Sequence, residues 1–494
     1  MIDKLLIANR GEIAVRVIRA ARMLEMETIA IYSDQDANSL HVRLSDDAIA
    51  LGGGTAKNNY LNIDKIIDEA LSNNVDGIHP GYGFLSESAE FAQAVIDAGI
   101  AWVGPPPMAI EKLGDKITSR EVAKKSGVPI TPGTDEPVEP DKLSLKLAKD
   151  IGYPVMVKSA FGGGGMGMKV VYDSNELIDT IKMTQRQALA AFGKSEIFLE
   201  KYVENPKHIE IQLMADKNGN IIHLGERECS IQRRHQKLIE EGPSPALTDD
   251  EREDIGEKVK KLAKSVNYEN AGTAEFLLDQ DDNFYFNEVN ARLQVEHPVT
   301  EMITGKDLVI EQLKVASGKN LSWKQSEVIQ KGHAIEFRIN SEDPLHDFSP
   351  GWGSINSLNT PGGFGVRFDS HIYKGYKVPS DYDSLLGKLI VWGEDREQAI
   401  YRAYYAISEL SINGIVNNLP FHRVVLANKE FHKGNTTTSF IHDNQILKYI
   451  KEAYNRRLAA LISTGLKSSK VYLPKRGKSN WRDMSKYENV GRQN

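Results

Sequence analysis

The sequence predicts a mixed α/β and α+β protein of about three domains, and three observations carry that prediction. The first is a strand–helix–strand pattern over residues 4–32, the mark of a parallel α/β unit. The second is a run of four glycines, residues 162–165, held between two strand-like segments. The third is a strand-rich stretch from 204 to 290 in which acids recur at matching places. A chain of 494 residues is too long for a single core.

Residues 4–8, Lys-Leu-Leu-Ile-Ala, form a buried strand pattern. Gly11 then opens a helix whose apolar stripe is Ile13, Ala14, Val17, Ile18, Ala21 and Leu24. Residues 28–32 are the next strand and 62–72 a helix. Residues 77–84, Gly-Ile-His-Pro-Gly-Tyr-Gly-Phe, read as a strand ending in a glycine-bounded loop, and ligands sit in such loops of parallel sheets. The first domain closes at residue 114, after the triple proline 105–107. A helix from Asp115 begins the second domain, 115–330, whose residues 131–203 are a candidate lid. Strands follow at 209–213, 221–224, 273–278 and 283–288. A third domain covers 331–446, with glycine-rich turns and a helix at 396–410. From Lys451 onward there are eleven Lys/Arg against three Asp/Glu. That basic extension, 447–494, starts as a helix at 446–461 and is either a solvated tail or a docking arm for a partner subunit.

Composition excludes several classes. A net charge of −7 leaves no overall nucleic-acid footprint. One cysteine, Cys229, rules out an intrachain disulfide and suits a reducing cytosol, so a cytoplasmic location is expected. The N-terminus does not resemble a signal or transit peptide, and no apolar run approaches the ~18 residues of a membrane span.

The glycine cluster follows the strand 153–158 that ends in Lys158. Glycines let backbone N–H groups approach an anion with no Cβ in the way, and the lysine adds a point charge. No Gly-Lys-Ser/Thr follows, so this is a phosphate cradle of a different kind from a Walker loop. Glu275 and Glu288 lie at similar places in two strands joined by the turn 280–283, with Asn290 two residues on. Antiparallel pairing would set these oxygen ligands side by side, suited to magnesium carrying a nucleotide phosphate. Arg292, Gln294 and Glu296 alternate, so an extended chain would aim all three one way. An arginine fork grips a planar oxyanion and a carboxylate beside it can act as base. His297, before Pro298, reads as structural, and Cys229 as a small core residue. The basic run 227–237 reads as a nucleotide and anion contact strip.

Taken together these segments resemble the biotin carboxylase family of the ATP-grasp superfamily, over residues 1–446. The resemblance rests on Ile7-Ala-Asn-Arg-Gly-Glu-Ile13, His79-Pro-Gly-Tyr-Gly-Phe-Leu-Ser-Glu87, the 162–167 loop and Glu200-Lys-Tyr202. It continues through Arg233-Arg-His-Gln-Lys237, the 290–301 motif Asn-x-Arg-x-Gln-Val-Glu-His-Pro-Val-Thr-Glu, and Gly332-His-Ala-Ile-Glu-Phe-Arg338. It implies a Rossmann-like N-terminal domain, an ATP-grasp domain with a mobile lid, and a C-terminal biotin carboxylase domain. It also implies a two-step reaction, in which ATP phosphorylates bicarbonate to carboxyphosphate and the carboxyl group then passes to N1′ of biotin.

Carried over motif by motif, the resemblance implies nucleotide contacts at Lys116, Lys158, Gly164, Gly165, Glu200, Lys201, Val203, His208, Gln232 and His235. Magnesium or manganese would sit on Glu275 and Glu288 with Asn290 close by. Bicarbonate would meet Lys237, Arg292, Gln294, Val295 and Glu296, with Glu296 as the base. Arg338 would steady the biotin enolate and Tyr82 would place the ring. The implied partners are a biotin carboxyl carrier protein and a carboxyltransferase subunit, with a homodimer formed through regions including Arg19, Phe364 and Arg367. The final acceptor, whether acetyl-CoA, propionyl-CoA or pyruvate, is left open. Met166 departs from the family, which usually has Arg or Lys there. No Ala-Met-Lys-Met-type sequence is present, and Ile181-Lys-Met183 lacks the flanking pattern, so the biotin is expected on a separate protein. The weighed alternative is another ATP-grasp ligase acting on a small carboxylate or bicarbonate.

Overall fold

The computed structural model describes residues 2–159, 168–192 and 195–468. The chain divides into two units, Met1–Ile446 and Leu447–Asn494. The glycine run with Gly164, Gly165 and Met166 lies outside the described residues, as does the chain after 468.

The first unit opens with the parallel sheet the N-terminal pattern predicts. Strands β1 (Lys4–Ile7), β2 (Glu27–Ser33), β3 (Asp47–Gly52), β4 (Gly77–His79) and β5 (Ala101–Trp102) lie in the order β3-β2-β1-β4-β5. Helix Gly11–Met23 follows β1 and buries Ile13, Ala14, Val17, Ile18 and Ala21 of the predicted stripe, while Leu24 caps the helix and is half-buried. Gly11 has φ +67, a conformation that costs a glycine little, and this turn sets Glu12 in the helix's first turn. The strand predicted over 77–84 stops at His79, because Gly81 and Gly83 both take positive φ and turn the chain outward. That turn delivers Tyr82 to the sheet's carboxyl edge. Asp115 caps helix Lys116–Lys125 by accepting from Thr118 N at 2.8 Å.

A small antiparallel sheet, β6 (Val155–Ser159), β7 (Met168–Val171) and β8 (Ile197–Lys201), is ordered β7-β6-β8. Its apolar face packs on helices Lys142–Ile151 and Ser174–Phe192 around Val155, Val157, Val171, Leu177 and Ile181. The framework of the site is an eight-stranded sheet. It contains β9 (Lys207–Ala215), β10 (Ile221–Arg233), β11 (Gln236–Gly242), β12 (Asn270–Leu278), β13 (Phe284–Asn290) and β14 (His333–Asn340), joined by strands Leu385–Gly393 and Val366–Ser370. The order is β13-β12-β9-β10-β11-β14, then Leu385–Gly393 and Val366–Ser370. The sheet therefore runs without a break from the strands of residues 207–290 into the C-terminal region. Its pairings are antiparallel throughout.

Alternation along β9 explains how one sheet serves both core and site. Ile209, Ile211 and Leu213 enter the hydrophobic core, while His208, Glu210 and Gln212 face the other way. Each such aliphatic side chain contributes about 1.5–3 kcal/mol on full burial, enough to hold a polar opposite face in place. In the second unit, the described part is the continuation of helix Ile446–Ser468, longer than the 446–461 helix expected.

Candidate active site

A cleft of about 1090 Å³ opens over the polar face of the large sheet. Its walls include Tyr82, Lys116, Lys158, Glu200, Lys201, Val203, His208, Gln232, His235 and Lys237. Glu12, Glu275, Glu288, Asn290, Arg292, Gln294, Val295 and Arg338 also line it. Residues far apart in sequence thus converge, from Asn9 to Thr438. Glu296 does not line the cleft; it is fully buried beneath it.

The β12–β13 hairpin carries the paired acids. Asp279 Oδ1 accepts from the backbone N–H groups of Asp281 and Asn283 at 2.9 Å, which tightens the turn. The register then sets Glu275 directly opposite Glu288. Glu275 is held well below the usual carboxylate range: burial opposes this, but Lys237 and His208 outweigh it. Glu288 moves the other way, raised by burial and then by the charges of Glu275 and Glu87. Asn290 Nδ2 is buried with no hydrogen-bond partner among the described residues. Two facing carboxylates, one of them destabilised by the other's charge, fit a hard divalent cation. His208, Glu210 and Glu275 also bring three ligand atoms within 4.8 Å, but the Lys237 ammonium already stands against Glu210 and Glu275 there.

Lys237 Nζ is the centre of the floor. It contacts Glu210 Oε2 at 2.5 Å, Glu275 Oε1 at 2.7 Å and Glu296 Oε1 at 2.6 Å. Burial alone would lower its pKa, yet the three carboxylates hold it well above the ordinary lysine value. Glu296 Oε2 accepts from Arg338 Nη2 at 2.8 Å. Burial pushes the Glu296 carboxyl up, but Lys237, Arg338 and Arg227 hold it well below the usual range. It is thus a carboxylate at neutral pH. Arg338 Nε donates at 2.5 Å to Glu240, whose pKa burial pushes up to about 7, opposed by Arg338 and assisted by the charge on Glu296.

Arg292 and Gln294 are brought together as predicted, but by a different route. Residues 291–296 form a loop rather than an extended strand, and Glu296 stands at the start of helix His297–Thr304. Arg292 Nη1 donates to Gln294 Oε1 at 2.9 Å, Nη2 to Asn290 Oδ1 at 2.6 Å, and Nε to Glu87 Oε2 at 2.9 Å. Gln294 Nε2 donates to Glu275 Oε1 at 2.9 Å. His297 is buried, its Nδ1 at 2.7 Å from Gln294 O, which agrees with a structural role. Cys229 is buried with its thiol pKa pushed well up by burial and by Glu210, so it is not poised as a nucleophile.

At the nucleotide end, Glu200 accepts from Lys158 Nζ at 3.1 Å and Arg120 Nη1 at 3.0 Å. Lys201 Nζ is tied to the carbonyls of Gly152 and Tyr153 at 2.9 Å. His208 Nε2 lies 3.0 Å from Glu275 Oε2, and its Nδ1 lies 3.3 Å from Gln232 Nε2.

The basic run 227–237 requires correction. Its residues divide between core, surface and cleft along the β10–β11 hairpin and do not form one contact strip. Arg227 is buried and binds Glu210, Gln212 and Thr300 at 2.5–2.8 Å. Arg233 and Arg234 pair with Asp347. Gln232, His235, Gln236 and Lys237 face the cleft. Arg234 and His235 make the turn with φ of +50 and +65, unusual for residues with a Cβ and a form of strain found at functional sites.

Glu210, Glu240, Arg120 and Glu87 are site residues that the sequence reading missed. For Glu210 a signal was present: His208-x-Glu210-x-Gln212 puts three polar residues on one face of an otherwise aliphatic strand.

Comparison with known proteins agrees with this geometry. The family described as biotin carboxylase, N-terminal domain, matches residues 1–110, and the biotin carboxylase C-terminal domain matches 336–443. Between them, residues 115–324 match the carbamoyl-phosphate synthase L chain ATP-binding domain. A biotin carboxylase from Nostoc sp. is 52% identical over 441 residues, spanning 89% of this chain and 99% of its own. A pyruvate carboxylase subunit from Methanothermobacter thermautotrophicus is 48% identical over 477 residues, 95% of this chain and 97% of its own. Among solved structures, the biotin carboxylase domain dimer of Hydrogenobacter thermophilus 2-oxoglutarate carboxylase, in complex with MgADP, ADP and bicarbonate, is 44% identical with a TM-score of 0.85. The match covers 90% of this chain and 98% of that one. Both flanking domain families and relatives of this identity, aligned over nearly their whole length, place the ATP-binding core in one context only: the chain belongs to the biotin carboxylase family and is an ATP-dependent ligase.

Proposed function

We propose that the cleft carboxylates biotin held on a separate carrier protein, using bicarbonate and ATP, with the residue roles as follows. The observation that carries this reading is the Lys237–Glu296–Arg338 arrangement beside the facing Glu275 and Glu288. Glu296, kept ionised by the three cations Lys237, Arg338 and Arg227, accepts the proton of bicarbonate. Arg292 and Lys237 hold the oxyanion and bear its negative charge. Lys116 and Lys158, with Gly164 and Gly165, hold the transferred phosphate, and His208, Gln232 and Glu200 orient the nucleotide. Glu275, Glu288 and Asn290 would hold magnesium, or manganese in its place, which supplies charge neutralisation at the phosphates. Once bicarbonate has become carboxyphosphate, its carboxyl C–O bond to phosphate breaks and the released phosphate takes the N1′ proton. Arg338 turns from Glu296 to the biotin carbonyl oxygen and bears the charge of the enolate, N1′ bonds to the freed carboxyl carbon, and Tyr82 places the ring.

In this reading residues 1–114, 115–330 and 331–446 are the working domains. A carboxyltransferase partner completes the holoenzyme. We also propose a homodimer using Arg19, Phe364 and Arg367. The Hydrogenobacter domain is a dimer, Phe364 is 80% exposed, and Arg367 is fixed by Asp369 and Glu301. For the acceptor, one observation favours pyruvate: the alignment with the Methanothermobacter pyruvate carboxylase subunit spans 95% of the chain and so reaches past residue 446. The test is transfer of labelled carboxyl from carboxybiotin with co-purified carboxyltransferase, offering pyruvate, acetyl-CoA and propionyl-CoA in parallel. Label appearing in an acyl-CoA and not in oxaloacetate would reject the pyruvate reading.

A further inference from the structure

A buried ion pair that none of the roles above uses, Glu12 with Lys388, stands at the edge of the cleft, which Glu12 lines. Glu12 sits in the first turn of helix Gly11–Met23, and Lys388 in the middle of strand Leu385–Gly393. Both are buried, Lys388 completely. Tyr82 Oη donates to Glu12 Oε2 at 2.5 Å. Lys388 Nζ pairs with Glu12 Oε1 at 3.1 Å and donates to the Val295 carbonyl at 2.7 Å. The same ammonium stands 5.9 Å from the centre of the Tyr82 ring. Val295 immediately precedes Glu296. Three contacts therefore connect the hydroxyl of Tyr82 to the backbone that carries the base.

This chain of contacts draws one residue from each of four distant parts of the sequence: Glu12, Tyr82, Val295 and Lys388. A fully buried lysine is rare, and a buried ion pair holds a fold no better than apolar residues of similar volume. What the pair supplies that apolar residues could not is direction: one ammonium fixes a carboxylate on one side and a carbonyl on the other.

We propose that Glu12 and Lys388 are positioning residues that couple Tyr82 to the bicarbonate loop at Val295 and Glu296, so that a ring docked on Tyr82 settles the base into place. This rests on the reading of the cleft as a biotin carboxylase site. The coupling is a free energy between two sites and is felt as a change in apparent affinity. Proximity alone does not establish it, so the test measures the response itself.

The experiment uses the full chain and measures the KM for bicarbonate in ATP cleavage, with and without saturating free biotin. In the wild type, biotin should lower that KM by about fivefold or more, in the range of ordinary site–site coupling. The double variant Glu12→Gln/Lys388→Met removes both charges, so neither is left buried alone. It should keep the KM for MgATP within about twofold, while the biotin response shrinks to about twofold or less. Tyr82→Phe keeps the ring and cuts only the hydroxyl link, and should lose the response in the same way. A biotin response of wild-type size in both variants overturns the proposal. Should the double variant fail to fold, Tyr82→Phe decides by the same criterion. A wild type that carboxylates free biotin with no change in bicarbonate KM overturns the coupling and leaves the function intact. A wild type that does not carboxylate biotin overturns both.

Discussion

Replacing Arg338 with methionine should produce a stability loss that grows as pH rises. Arg338 bridges two fully buried carboxylates, Glu240 at 2.5 Å and Glu296 at 2.8 Å. Removing one partner of a buried ion pair costs about 3–5 kcal/mol. Glu296 keeps Lys237 at 2.6 Å, so the unpaired burden falls on Glu240. In the wild type the Glu240 carboxyl stands at about 7, above its ordinary 4.5, through burial. A raised pKa contributes stability that is present below the unfolded value and lost as pH rises towards the folded one. For the wild type that loss is complete a little above pH 7. Without Arg338, which now lowers it, the Glu240 pKa rises further and the loss continues into the alkaline range. The gap between wild type and variant should therefore widen above pH 7 by up to about 1.4 kcal/mol per pH unit, the slope for one proton. Thermal melting at pH 6.5, 7.5 and 8.5 measures it. A gap that stays constant, or narrows as pH rises, refutes the reasoning.

The same geometry makes three other perturbations informative. Glu288→Ala removes one of the two facing carboxylates and should lower ATP turnover by about two orders of magnitude or more, with an unchanged melting temperature; near-normal turnover would reject the metal assignment. Glu296→Ala should abolish most bicarbonate-dependent ATP cleavage while leaving nucleotide binding, measured by calorimetry, nearly intact; a collapse of nucleotide affinity would give Glu296 a different role. Ending the chain at residue 446 should leave carboxylation of free biotin within about twofold and weaken co-purification of the partner subunits, more so at low salt, where attraction by the basic extension is strongest; equal recovery of partners would reject the docking role.

Much of the site was legible because strands write their geometry into the chain. The period of two along residues 270–290 was enough to predict Glu275 facing Glu288, and the register sets them opposite one another. The same rule, applied to 208–212, would have found Glu210, the third carboxylate around Lys237. Where local rules failed, tertiary context decided. Arg292, Gln294 and Glu296 converge through a loop, and Glu296 ends up beneath the floor because the following helix starts on it. The basic run 227–237 divides between core, surface and cleft because a hairpin turns at Arg234 and His235. Nothing local in Lys388 distinguishes it from a surface lysine; its burial depends on Glu12 and Val295, more than ninety positions away. The unbroken eight-stranded sheet was likewise invisible, since the pairing of β11 with β14 joins segments separated by some ninety residues.

The central claim is that one cleft couples ATP cleavage to carboxylation of biotin through a buried carboxylate base. Its most direct test is the stoichiometry of ADP to carboxybiotin, formed from labelled bicarbonate, free biotin and magnesium ATP by the purified chain. The account predicts ADP and carboxybiotin appearing together, both dependent on bicarbonate and both lost in Glu296→Ala. ATP cleavage that proceeds equally without bicarbonate, or that yields a phosphorylated or amidated small carboxylate in place of carboxybiotin, would contradict it.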